Sequence, residues 1–202
     1  MKTKQMIVLT LGAVAASMFF IANVHADGNG QITGQITGSR RYMRDAIAYV
    51  ERVSGTHRAP SGTVEMDQRN HQFVPKVLPV VQGTTVRFMN NDNEAHNVFS
   101  PDGQAYDLGN FTGGQHADHQ FSTPGSFTQL CHLHPSMIGY VLVLQNPYFA
   151  HVGSDGSFTI PNVPAGNYTV KVWQERGEGS ATATVAANGT ANVSIAMGRR
   201  HR

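Results

Sequence analysis

Apolar and polar positions along this chain alternate with period two in short runs, each closed by turn residues after about ten positions. Thr63-Val-Glu-Met66, Val77-Leu-Pro-Val-Val81, Thr84-Thr-Val-Arg-Phe-Met89, Ala117-Asp-His-Gln-Phe121, Ser126-Phe-Thr-Gln-Leu130 and Tyr140-Val-Leu-Val-Leu144 read as strands. Gln82-Gly83, Asn90-Asn-Asp92, Asp102-Gly103, Gly113-Gly114 and Pro124-Gly125 read as the turns between them. No segment keeps a helical period for more than a turn or so. The fold class expected is all-β, an antiparallel sandwich or barrel.

One departure from this rhythm lies at the amino end. Lys2 and Lys4 precede an apolar stretch from Met6 to Val24, which closes at Val-His-Ala26. That order of charge, apolar run and small residue reads as a secretory signal peptide over residues 1–26, cleaved after Ala26. It carries no twin arginine, so export of an unfolded chain to the periplasm is expected, with any metal loaded there. Cleavage takes two of the 15 basic residues and none of the 13 acidic ones, and leaves a chain close to neutral with no membrane span. Basic residues gather only in the tail 199–202, read as a solvated terminus. Elsewhere they are scattered and the aromatics follow strand periods, which argues against a nucleic-acid partner.

An exported chain with one cysteine cannot form an internal disulfide, so the thiol needs another role. Cys131 opens the run Cys-His-Leu-His-Pro-Ser-Met137 just before the apolar run 140–144, and His96 stands upstream in Ala-His-Asn-Val-Phe-Ser100. A thiolate, two imidazoles and a thioether suit a copper site, three strong ligands and a weak axial one. The metal ligands expected are therefore His96, Cys131, His134 and Met137. A hydrolase built on the thiol would give the methionine no role. With every strong position filled by protein, little room is left for a substrate, and no enzymatic activity is expected.

Residues from about Ser61 to Gln145 resemble the cupredoxins, the small blue copper proteins, in their amicyanin and plastocyanin branch. Asn91-Asp-Asn-Glu-Ala-His-Asn-Val98 is similar to the segment carrying the family's first ligand. Cys131-His-Leu-His134, with Met137 two residues beyond His134-Pro-Ser, is similar to its ligand loop at amicyanin length. Met66-Asp-Gln68, Phe73-Val-Pro75 and His96-Asn-Val-Phe-Ser100 resemble exported bacterial cupredoxins of methylamine utilization type, although nothing here points to an amine dehydrogenase as partner. The resemblance implies a Greek-key β-sandwich holding one type 1 copper ion. It also implies that the backbone N–H of Asn97 reaches the Cys131 sulfur, and that His134 lies near the surface as the port for electrons, with Leu133, Pro135 and Ile138 around it.

A second resemblance covers the flanks. Asp155 to Trp173, with turns at Asp155-Gly156 and Pro164-Ala-Gly166 and Tyr168, Val170 and Val172 on one face, is similar to the second half of carboxypeptidase regulatory-like, transthyretin-like sandwiches. Gly30-Gln-Ile-Thr-Gly-Gln-Ile-Thr-Gly38 and Asp45-Ala-Ile-Ala-Tyr-Val50 are similar to the first half. The organisation expected is a cupredoxin domain at 60–145 inserted into one discontinuous sandwich of residues 27–59 and 146–198, because neither flank alone has strands enough for a core; the alternative makes 27–59 an N-terminal extension of the cupredoxin sheet. The function expected is that of a periplasmic blue copper protein carrying electrons between redox partners, a c-type cytochrome or another copper protein. The alternative is a copper-binding protein for storage, delivery or tolerance. His71, His116 and His119 read as surface residues and His132 as pointing away from the site; only if several of them gathered around His132 would a second, exposed copper site become possible.

Overall fold

The computed structural model describes residues 28–103 and 105–200; the signal sequence read at 1–26 lies outside them. Two strands, β1 (Asn29–Thr37) and β2 (Ile47–Val50), come first, separated by a short 3-10 turn at Arg40–Tyr42. Nine follow: β3 (Thr63–Arg69), β4 (Gln72–Val74), β5 (Val77–Val81), β6 (Thr85–Asn90), β7 (His96–Ser100), β8 (Tyr106–Phe111), β9 (His116–Gln120), β10 (Gly125–Leu130) and β11 (Ile138–Leu144). The last six are β12 (Phe149–His151), β13 (Ser157–Pro164), β14 (Gly166–Gln174), β15 (Gly177–Val185), β16 (Thr190–Ala196) and β17 (Gly198–Arg199).

The middle strands form two facing sheets, β5-β11-β10-β7-β8 and β4-β3-β6-β9. Val86, Phe88, Val98, Phe121, Phe127, Val141 and Val143 fill the space between them with both metal-loop residues Cys131 and Met137. The flanking strands form two more sheets, β13-β1-β16 and β12-β2-β14-β15-β17, around a separate core that includes Ile32, Ile36, Val50, Ile160, Val170, Val172 and Ile195. Strands from both ends of the chain thus lie in each flanking sheet: β1 pairs with β13 and β16, and β2 with β12 and β14.

The pairing is not wholly antiparallel. β1/β16, β3/β6 and β5/β11 are parallel. Each joins strands far apart in sequence, where a crossover replaces the hairpin that would force an antiparallel arrangement.

β5 and β11 explain how the two cores adjoin. Every residue of β5 is buried, and so is every residue of β11 except Ile138. Leu78, Val80, Val141 and Val143 face the metal-loop core, whereas Val77, Tyr140, Leu142 and Leu144 face the other way onto Ile47 and Trp173. A sheet covered on both sides needs continuous apolar runs in place of alternation, which is what 77–81 and 140–144 supply. Polar links border this seam: Lys76 to Glu175 at 3.0 Å, and the Asn146 amide to the Val50 carbonyl at 2.9 Å.

Arg199 and Arg200, the described residues of the basic tail, depart from the expected free terminus. Arg199 belongs to β17, which pairs with β15, and the Arg200 guanidinium lies 5.4 Å from the Trp173 ring while donating to Ser126 Oγ at 3.0 Å. An aromatic face and an acceptor beside the seam hold a cation that would otherwise be solvated.

Candidate metal centre

β10 and β11 are neighbours paired up to Leu130 and Ile138, so the seven residues from Cys131 to Met137, His134 among them, must turn back within one tight loop. The Met137 N–H donates to the His134 carbonyl at 2.9 Å and closes it. β7 lies on the other side of β10, with Leu130 opposite Phe99, which brings His96 at the start of β7 to the same end of the sandwich. Gly139, two residues past the loop, lets the sheets approach: a Cβ there would come within 2.6 Å of Phe73.

The structure brings three of the four expected ligands together. His96 Nδ1 and His134 Nδ1 are 3.0 Å apart and Cys131 Sγ is 3.9 Å from His134 Nδ1. Met137 is buried in the same core as Cys131. A metal with bonds near 2.0 Å to nitrogen and 2.3 Å to sulfur sets its donors roughly 3.3 Å (N to N) and 3.6–3.8 Å (N to S) apart. The residues therefore fit a metal ion with two imidazole nitrogens and one sulfur. His96, Cys131 and Met137 are almost fully buried, while the His134 side chain is 24% exposed at its outer edge.

Neighbouring groups fix these donors. The Asn97 N–H donates to Cys131 Sγ at 3.4 Å, and its side-chain amide donates to Asp107 Oδ1 at 2.7 Å and to the Gly109 carbonyl at 3.1 Å. Its amide oxygen accepts the His132 N–H at 3.4 Å, so one buried asparagine ties β7, β8 and the loop together. Such partners orient ligands and tune the metal they hold. On the opposite side Asp92 Oδ2 lies 2.8 Å from His96 Nε2, the contact that leaves Nδ1 free to ligate. Burial works against the charge of Asp92, yet the N–H groups of His71 and Asn70 and the His96 ring outweigh it and hold its pKa down to about 2.

His132 points away, stacked on Phe99 at 3.7 Å with Nε2 3.2 Å from Asp107 Oδ2. His119 lies against Tyr106 and Phe121, where burial depresses its pKa, and does not join His132. The histidine that does approach the centre is His71, whose ring lies 4.6 Å from that of His134; Glu94 Oε2 sits between them, 3.5 Å from His71 Nε2 and 3.3 Å from His134 Nε2. Asp92, Glu94 and His71 were missed as contributors. The first two lie inside the ligand segment 91–98, and spacing to His96 was the signal available for them; His71 comes from another hairpin and carried none. Leu133 and Ile138 are 46% and 42% exposed, and Pro135 is exposed between them.

A family model described as copper binding proteins, plastocyanin/azurin family, matches residues 60–144, and one described as polysaccharide lyase family 4, domain II, matches residues 135–194. A search of curated proteins returns no match. Among solved structures, a purple cupredoxin from Nitrosopumilus maritimus is 26% identical, covering 39% of this chain and 97% of its own, with a TM-score of 0.38. A reduced single-substitution variant of amicyanin is 24% identical, covering 48% of this chain and 97% of its own, with a TM-score of 0.39. The match to the plastocyanin/azurin model, laid over the buried thiol and the two converging imidazoles, supports a cupredoxin at residues 60–144, a family that binds a single copper ion, and the flanking strands form an accessory β-sandwich.

Proposed function

We propose that this protein is exported to the periplasm and carries single electrons between redox proteins through one type 1 copper ion held by His96, Cys131, His134 and Met137. Copper, when bound, supplies the Cu(I)/Cu(II) couple. The observation that carries the reading is the preset donor triangle of buried His96, buried Cys131 and half-buried His134, braced by Asn97 and Asp92. A donor set compromising between the preferences of the two oxidation states, held by rigid strands, needs little rearrangement when its charge changes. Electrons would enter and leave at the exposed edge of His134, where Leu133, Pro135 and Ile138 offer a small apolar surface for a brief encounter with a c-type cytochrome or another copper protein.

An optical spectrum of the protein loaded with Cu(II), followed by reductive and oxidative titration, tests this. An intense visible thiolate band that bleaches and returns is expected; a weak tetragonal signal, or tight binding of Cu(I) alone, would instead identify a copper storage or delivery protein. Cys131→Ser should abolish the band, and Met137→Leu should keep it with a shifted potential, since the axial bond is weak. Colour that survives loss of the thiol refutes the ligand assignment.

A further inference from the structure

The turn between β3 and β4 has two residues, Asn70 and His71, both in the left-handed region at φ 53° and 56°. A two-residue hairpin of this kind favours Asn-Gly, because only glycine takes the second position without strain. Histidine there is strained, and what holds it is Asp92, whose carboxylate accepts the Asn70 N–H at 2.6 Å and the His71 N–H at 3.0 Å. The same carboxylate bonds His96, so the hairpin tip is fastened to the metal centre itself. A strained residue over-determined by its surroundings points to a use for its side chain.

That side chain is aimed at a second group of ligand atoms. His71, Glu94 and His134 each offer a ligand atom within 4.8 Å of the others, and Glu94 Oε2 lies 3.5 Å from His71 Nε2 and 3.3 Å from His134 Nε2. Donors about 2.0–2.2 Å from one tetrahedral ion stand roughly 3.3–3.6 Å apart. His134 thus shows Nδ1 to the buried donors and Nε2 to this outer set, which is open to solvent. Two imidazoles and a carboxylate take borderline divalent ions, Cu(II) most tightly of the common ones.

We infer that His71, Glu94 and the outer nitrogen of His134 form a landing site through which Cu(II) enters the apoprotein. The inference rests on the copper reading of the inner site. A hydrated Cu(II) ion exchanges water for the three outer donors. It then passes the edge of the His134 ring to His96 Nδ1, His134 Nδ1 and Cys131 Sγ. The bonds to His71, Glu94 and His134 Nε2 break as those to His96 Nδ1, His134 Nδ1 and Cys131 Sγ form; the His134 ring proton passes from Nδ1 to Nε2 through water, and the thiol proton leaves to water with no change of oxidation state.

Rapid mixing of the full-length apoprotein with excess Cu(II), followed by growth of the thiolate band, tests the inference. His71→Gly removes a donor while placing the residue best suited to φ 56° in the turn, so the fold is kept. The wild-type rate should saturate with copper concentration. The His71→Gly and Glu94→Gln rates at limiting copper should fall about fivefold or more and become linear in concentration, in the range that supporting residues command over metal binding, with the His71→Gly band reaching its full height. A smaller slowing in His71→Gly, or a linear wild-type rate, overturns the landing site and leaves the inner centre intact. A wild-type protein that never develops the band refutes the inner centre, and the landing site falls with it.

Discussion

Replacing Trp173 by alanine should uncouple the two sandwiches. Trp173 is 6% exposed, meets Tyr140 of β11 edge-on with ring centroids 5.3 Å apart, and packs with Ile47, Val77, Leu142 and Leu144. Truncating a buried tryptophan costs about 3–5 kcal/mol, of which the edge contact with Tyr140 represents about 1 kcal/mol. The indole N–H is buried without an acceptor among the described residues, so removing it returns about 1 kcal/mol. The expected loss is then about 3 kcal/mol, a large fraction of the roughly 5–15 kcal/mol that a domain possesses. At about 2–4 °C per kcal/mol for a chain of this size, melting should fall by roughly 6–12 °C. Calorimetry of the copper-loaded protein, with the thiolate band recorded alongside, separates the halves, since the band reports only on residues 60–144. In the wild type both signals should change together; in Trp173→Ala the accessory strands should melt first while the colour persists. A loss below about 1 kcal/mol, or signals that still coincide, would refute the seam as the coupling element.

Asn97→Ala should cost about 2–3 kcal/mol, chiefly through the lost bond to the Asp107 carboxylate, yet keep the colour because the backbone N–H to Cys131 Sγ remains; urea unfolding and an optical spectrum check both. Burial disfavours the charge of Glu175, but Lys76, Tyr140 and Arg176 outweigh it and hold its pKa below the ordinary 4.5. A group depressed in the folded state stabilises fully above its unfolded pKa and loses that contribution as pH falls through the folded one. The seam should therefore weaken below about pH 4.5, and Glu175→Gln should flatten this dependence in urea midpoints measured across that range; an unchanged pH slope would count against it. Relieving the left-handed strain, His71→Gly should raise stability by about 1 kcal/mol, read as a higher melting temperature, at the expense of copper entry.

Alternation made most strands readable: the runs at 63–66, 77–81, 84–89, 117–121, 126–130 and 140–144 all lie in or across strands within a residue or two at their starts. β7 went unread because its burial does not alternate, with His96, Asn97 and Val98 all buried in succession. Asparagine and histidine inside a core look polar in sequence and are paid no attention by a hydropathy pattern. The parallel pairs were invisible for another reason: β1 and β16 bond residues 159 positions apart, as between Gln31 and Thr190, and nothing local specifies such a neighbour. At the metal centre the loop was legible because thiol, imidazole and thioether fall within seven residues. Asp92 and Glu94 were harder to see, as acidic residues in a turn are ordinarily solvated. His71 was invisible, since its approach to His134 depends on a hairpin tip clamped from another segment.

The partners of β1 have a consequence for the order in which the molecule is made. Asn29 registers with Pro164 and Gln31 with Thr190, so the first of the described strands to leave the ribosome waits for nearly the last. Contacts this distant close late, because the loop entropy must be spent before they reward it. The copper-binding half, whose strands all lie between residues 63 and 144, can be complete while β1 is still an unpaired edge. A nascent chain halted near residue 150 should therefore bind copper yet aggregate through that edge, and releasing the remaining fifty or so residues should cure the aggregation without altering the colour.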